Sequence, residues 1–154
     1  MAIQPRIAKF DSPLWFGVAI DDDPIRRLLN QKVPWITHGS TFSSQSIGTG
    51  PWRDQGWKLH VSATPRCALE VLRAALDVLL AAGARFKVVN TMRQLAAMNS
   101  GMYASSQIGK FITVYPSDDA QAVLLAVELD RVTSGQCGPR VPTDRSLRPG
   151  SVVH

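Results

Sequence analysis

The order of patterned segments in this sequence predicts a small single α+β domain, with helices packed on a mixed or antiparallel sheet. Two observations point there. Three short stretches rich in β-branched and aromatic residues recur after residue 55, and helical patterns separate them. The longest helical pattern carries one charged stripe and one leucine face, as a helix lying on a sheet requires. Order alone also admits an α/β arrangement.

Residues 1–55 read as an irregular N-terminal segment, a lid packed on a core domain that occupies residues 56–154. Within it, Asp21, Asp22, Asp23 and Pro24 precede Ile25, Arg26, Arg27, Leu28 and Leu29, a short helix with acids at its start. The stretch 40–46 and Gly48-Thr49-Gly50-Pro51 are rich in Ser, Gly and Thr, and read as loop. Trp15, Trp35, Trp52 and Trp57 all fall in this early part of the chain. They are expected to anchor it to the body of the domain; an aromatic peptide-binding groove is the alternative.

From Gly56 the pattern sharpens. Residues 56–62 alternate polar and apolar, the period of a half-buried strand. Thr64 and Pro65 fit the N-cap and first position of a helix that runs to Ala82, with Gly83 as its terminator. Arg66, Glu70, Arg73 and Asp77 mark its solvated side, and Leu69, Leu72, Leu76, Leu79 and Leu80 its core side. Arg85-Phe86-Lys87-Val88-Val89 is a second strand. Thr91 caps a short helix through Met98, and a polar loop follows to Ile108. Residues 109–115 form a third strand. Ser117, Asp118 and Asp119 open a helix to Thr133, 135–149 is a turn-rich loop, and 151–154 begins a last strand.

With 154 residues, 45% hydrophobic and 19% charged, the chain has the size and composition of one globular domain. No apolar run nears the length of a membrane span, and the first residues lack a signal-peptide core, so the chain reads as cytoplasmic with no membrane partner. Cys67 and Cys137 lie in no metal-ligand spacing. Cys67 sits among apolar helix residues and reads as a buried free thiol, since a cytosolic disulfide is unusual. The 17 Lys+Arg against 12 Asp+Glu suit an anionic partner. No nucleic-acid fingerprint accompanies them. Three arginines, Arg140, Arg145 and Arg148, surround the single acid Asp144.

Lys58 and His60 are two apart in one strand and project from one face, with Leu59 and Val61 on the other. If Lys87 shares the face of Lys58 and His60, three ionisable nitrogens converge across the sheet. Singly, such lysines are solvated and such a histidine is incidental. Composition and spacing establish an open, basic sheet face and no more.

Longer strings carry a resemblance. Gly56-Trp57-Lys58-Leu59-His60-Val61-Ser62-Ala63-Thr64-Pro65, Phe86-Lys87-Val88, Gly109-Lys110-Phe111-Ile112-Thr113-Val114-Tyr115-Pro116, Pro142-Thr143-Asp144-Arg145 and Arg148-Pro149-Gly150-Ser151-Val152-Val153-His154 resemble, in order, the N-terminal lyase domain of class III and class IV lanthionine synthetases. The likeness covers about residues 55–154. More remotely, the Lys-x-His pair and the Phe-Lys-Val lysine are similar to those of secreted bacterial phosphothreonine lyases. The resemblance implies elimination of phosphate from phosphoserine or phosphothreonine of a ribosomal precursor peptide, giving dehydroalanine or dehydrobutyrine. It implies kinase and cyclase domains or proteins as pathway partners, and no cofactor or metal. It assigns Lys87 as base, His60 as acid, Lys58 as a catalytic and phosphate-binding lysine, and Lys110, Arg145 and Arg148 as further phosphate ligands.

The chemistry suits those residue types. A peptide α-proton is weakly acidic, and a lysine crowded by Lys58, Lys110 and Arg145 has its pKa lowered into the range of a useful base. The same cations neutralise a phosphate dianion and a developing enolate-like oxygen, and a protonated histidine can donate to the departing oxygen. Two departures stand out. The loop 103–108 lacks the arginine that relatives often carry, for which Arg93 is a substitute, and relatives continue past Val153-His154 into Tyr-Arg-Tyr-Gly. The rival readings are a phosphopeptide-binding module without turnover, which keeps the cationic face, and a basic nucleic-acid-binding domain, which would bind with strong salt dependence.

Overall fold

The computed structural model describes residues 19–46, 48 and 55–154. The chain builds α1 (Pro24–Lys32), β1 (Thr37–His38), β2 (Phe42–Gln45), β3 (Leu59–Val61), α2 (Ala68–Ala81), β4 (Arg85–Val89), α3 (Met92–Asn99), β5 (Ile112–Tyr115) and α4 (Asp119–Val132). The strands form one sheet in the order β1-β2-β4-β5-β3, and every pairing is antiparallel. This is the α+β class that the sequence predicts.

The alternation in β4 divides the sheet into two faces. Phe86 and Val88 are buried, whereas Arg85 and Lys87 are half-buried. Phe86 and Val88 join Leu59, Val61, Ile112 and Val114 in a core with Ile25 and Leu29 of α1, Leu72, Leu76 and Leu79 of α2, and Leu125 and Leu129 of α4. The opposite face carries Lys87 and is covered only in part. It is the face that matters for chemistry.

Several starts and stops follow from local chemistry. Thr91 caps α3 by accepting the Gln94 amide at 3.1 Å, and Asp118 caps α4 by accepting that of Gln121 at 2.7 Å. Gly83 supplies the φ of 60° that ends α2. Asp23 does more than cap α1. Its carboxylate is buried and accepts from the Ile25 amide at 2.9 Å and from the Met92 amide at 3.0 Å, joining the starts of α1 and α3. Burial raises its pKa, against the pull of those two amides and Arg26.

Four expectations are corrected. Residues 42–45 are a strand, not loop, and together with α1 they give the early part of the chain regular structure within the shared sheet and core. The hydrophobic pattern missed β2 because its inward residues are polar. Ser43 bonds to His38 Nδ1 at 2.6 Å and to Asn90, and Gln45 donates to the Pro34 carbonyl at 2.7 Å. Register with β4 outweighs the weak strand propensity of its serines.

The tryptophans are the second correction. Trp35 is 78% exposed in a turn at φ 62°, and Trp57 is 63% exposed ahead of β3. Neither is an anchor; Trp15 and Trp52 lie outside the described residues. Third, α2 begins at Ala68 rather than at Pro65, because the Thr64 amide donates to the Cys137 carbonyl at 3.0 Å and 64–67 form a turn.

Fourth, Cys67 and Cys137 are not free thiols: they form a disulfide that bridges 70 positions of sequence. It fastens a C-terminal strap, residues 137–154, beside the end of β3. Gly138 passes so close to that strand that a Cβ there would lie 2.7 Å from the Ser62 carbonyl carbon and 2.8 Å from the Ala63 nitrogen. The strap then returns along the outer edge of β3. Ser62 donates to the Val152 carbonyl, and His60 and His154 exchange both backbone hydrogen bonds, all at 2.8 Å. The expected last strand is thus an isolated bridge, Val61 to Val153.

Closing a loop of this length stabilises a fold by about 2–4 kcal/mol. The double variant Cys67→Ser/Cys137→Ser should therefore melt roughly 5–15 °C below the parent. Thiol titration of the native parent under non-reducing conditions should find no free thiol. Two reactive thiols, or an unchanged melting temperature, would reject the bond's structural role.

Candidate active site

The register of three strands places the candidate residues in one row. Lys87 of β4 stands opposite Thr113 of β5, and Thr113 stands opposite His60 of β3. Ser44 of β2 continues the row beyond Lys87, and His154 of the strap continues it beyond His60. Directly paired residues project from the same face. Lys87 and His60 therefore share the open face, two strands and roughly 10 Å apart at their Cα atoms. The short side chain of Thr113 lies between them as a floor.

His60 is buried, and its Nδ1 meets the carboxylate of Asp144 on the strap. A carboxylate only accepts, so Nδ1 carries the proton and Nε2 is left open. The second oxygen of Asp144 accepts from Thr143 Oγ1 at 2.7 Å. Burial pushes the His60 pKa down, Asp144 pulls it up, and Lys110 and Lys87 push it down again; the net direction is downward. Asp144 is raised by burial but held below the usual carboxylate range by Thr143, His60 and Lys110. Around neutrality the pair is thus an ionised aspartate and a neutral imidazole ready to take a proton on Nε2.

Lys87 is half-buried, with Nζ 4.3 Å from the centroid of the Phe42 ring. Among the described residues no carboxylate forms an ion pair with it. Its pKa is lowered, and the cause is burial. The depression comes from lost hydration rather than from the expected crowding by other cations.

The remaining candidates are placed less uniformly. Lys110 is half-buried and close enough to His60 and Asp144 to shift both. Lys58 stands just before β3, its ammonium 6.0 Å from the Tyr115 ring centroid. Arg145 follows Asp144 directly and is exposed. Arg148 points elsewhere: its Nε donates to Asp130 of α4 at 2.7 Å. Arg93 is exposed on α3. The structure thus gathers Lys87, His60 and Lys110, with Lys58 at the border, Arg145 exposed beside Asp144 in the chain and Arg148 held on α4.

Three residues of the site carried no assigned role in the sequence reading. Asp144 was visible only as a lone acid among arginines, although a buried histidine needs such a partner. His154 lies opposite His60, with Nδ1 3.2 Å from Ser146 Oγ. Phe42 fell within the stretch read as loop.

Fold and site together define an antiparallel α+β domain whose open sheet face sets an aspartate-held histidine across from a half-buried lysine. The chain belongs to the family described as the RamC N-terminal domain, which matches residues 30–154 and so takes in β1 and β2. It is 36% identical over 98 residues to a protein of Streptomyces coelicolor described as a probable SapB synthase. That match covers 64% of this chain and 10% of the relative, so the chain spans about a tenth of the length of the relative it matches.

All three histidines, His38, His60 and His154, are lowered from their ordinary value, each first of all by burial. A folded pKa below the unfolded one means that the unfolded chain binds more protons once pH falls through about 6.5. Stability should be fully present above that pH and decline below it. Melting followed by circular dichroism should show the transition temperature falling from pH 7.5 to 5.5, and a His38→Gln variant should show a shallower fall. A transition that is flat or rises toward pH 5.5 would contradict the assignment.

Proposed function

We propose that this chain is a phosphoserine/phosphothreonine lyase domain that acts on a phosphorylated precursor peptide in lanthipeptide biosynthesis. The observation that carries the proposal is the row Lys87, Thr113, His60, in which a half-buried lysine and a buried histidine flank one short residue. Membership of the RamC N-terminal family and the likeness to a SapB synthase support the pathway.

The geometry supports a β-elimination. Neutral Lys87 takes the α-proton of the phosphorylated residue. The electron pair left on Cα forms the Cα=Cβ bond as the Cβ–O bond breaks, and phosphate departs with that bond's electrons. His60, protonated on Nε2 once a dianion is beside it, donates to the leaving oxygen. Asp144 orients the ring and stabilises the imidazolium. Lys110, with Lys58 and Arg145, offsets the phosphate charge. A kinase must supply the phosphopeptide, and a cyclase that adds cysteine thiols to the alkene would consume the product.

A second reading, a phosphopeptide-binding module without turnover, draws on Arg148 being engaged by Asp130 and on the loop 103–108 having no arginine. Mass spectrometry separates the two, since turnover leaves a peptide lighter by phosphoric acid and binding leaves it unchanged.

Lys87→Ala should abolish elimination. His60→Gln should slow it by about 100-fold or more while leaving phosphopeptide affinity nearly unchanged. A peptide with a halide in place of the phosphate needs no proton on its leaving group. It should react with the His60→Gln protein and not with the Lys87→Ala protein. Equal behaviour of both variants toward the two substrates would reject this division of roles. Arg145→Ala should weaken phosphopeptide binding by about tenfold, and unchanged affinity would remove Arg145 from the site.

A further inference from the structure

Lys87 must be neutral to accept a proton, and a bound anion within reach favours its charged form. The elements packed around it bear on that balance. On its own strand the same-face neighbour Arg85 is turned away, bonded through Nε to the Ser46 carbonyl at 3.0 Å and through Nη2 to that of Gly48 at 3.2 Å. From β5, Thr113 faces it directly and Tyr115 lies one step along. From the β3 side come His60 and Lys58, with Lys110 and Asp144 grouped around His60. The only carboxylate in this set is Asp144, which is committed to His60 and Thr143. From β2 come Ser44, directly opposite, and Phe42, whose ring lies 4.3 Å from Nζ.

We propose that Phe42 is a positioning residue for Lys87: its ring caps the amine, excludes water from one side of it and fixes where Nζ stands on the sheet. This rests on the lyase reading and adds a residue to it. β2 pairs with β4 so that Phe42 opposes Val89 and Ser44 opposes Lys87, which puts the ring diagonal to the lysine on the same face. An aromatic ring here has two opposing effects. It removes hydration, which disfavours the ammonium, and its face attracts the ammonium, which favours it. Burial lowers the Lys87 pKa, and the Phe42 ring is an apolar group lying against that amine. The attraction is still useful. It gives the newly formed ammonium a resting place without a carboxylate that would hold the lysine charged from the outset.

The test reads the lysine directly. Lysine Cε-labelled protein is titrated by nuclear magnetic resonance, with the Lys87 signal assigned by its loss in Lys87→Ala. In Phe42→Ala, water reaches the amine, and the midpoint should rise by about one pH unit. In Phe42→Leu the apolar cover remains without the ring face, and the midpoint should not rise. Circular dichroism checks that both variants are folded, and the leucine variant keeps the test informative if the alanine variant is not. In parallel, the acidic limb of kcat/KM for the phosphopeptide should move upward with the midpoint in Phe42→Ala, with KM changed by less than about twofold. A midpoint unmoved in Phe42→Ala, or raised equally in Phe42→Leu, would overturn the role of Phe42. Absence of elimination by the parent protein would overturn the lyase reading instead, and the resonance titration would still decide whether Phe42 sets the state of Lys87.

Discussion

The antiparallel register of β4, β5 and β3 is the constraint from which the site follows. A shift of one residue in either pairing would send Lys87 or His60 to the opposite face, into the layer of Phe86, Val88, Ile112 and Val114. The displaced residue would then be a buried polar group without a partner, at a cost a small domain tolerates poorly. The apolar pattern that fixes the core therefore also fixes the chemistry. The same pleat that presses Leu59 and Val61 against the helices turns His60 outward.

Register alone does not finish the site, because His60 needs its partner from outside the sheet. That partner, Asp144, arrives on the strap that the disulfide fastens at one end and β3 receives at the other. Between these two fixings Val141 is fully buried and Asp144 reaches His60. Holding the carboxylate in place costs less order when both ends of its loop are already tied down. The strap thus links stability to chemistry. The strap that completes the sheet edge also carries the carboxylate that sets the tautomer of the imidazole.

Much of this was legible in the sequence where local and global preferences agree. Alternation named the face of Lys58 and His60, caps placed α3 and α4, and Gly83 ended α2. The misses share a cause: each depends on a contact between distant parts of the chain. β2 hides behind Ser43 and Gln45, which satisfy their hydrogen bonds through His38, Asn90 and Pro34 and so show no apolar period. The pairing of Cys67 with Cys137 depends on the strap returning beside Thr64. Phe42 acquires meaning only once β2 lies against β4. Asp144 stands among arginines in sequence yet serves a histidine 84 positions away.

The electrostatics of the site then take a simple form. In the free protein burial lowers the His60 pKa, aided by nearby cations, and burial lowers that of Lys87 as well. Among the described residues Lys87 has no carboxylate in an ion pair, and Asp144 raises the His60 pKa without winning against burial. On the proposed reaction, a phosphate dianion brings the missing negative charge. It favours a proton on the His60 Nε2, next to the oxygen that must leave, whereas Lys87 stands on the far side of Thr113 under the Phe42 ring. On that reading one substrate charge acts unequally on the two groups, because the sheet sets them on opposite sides of Thr113. The proposed acid and base then differ by their place in one row of the sheet as well as by residue type.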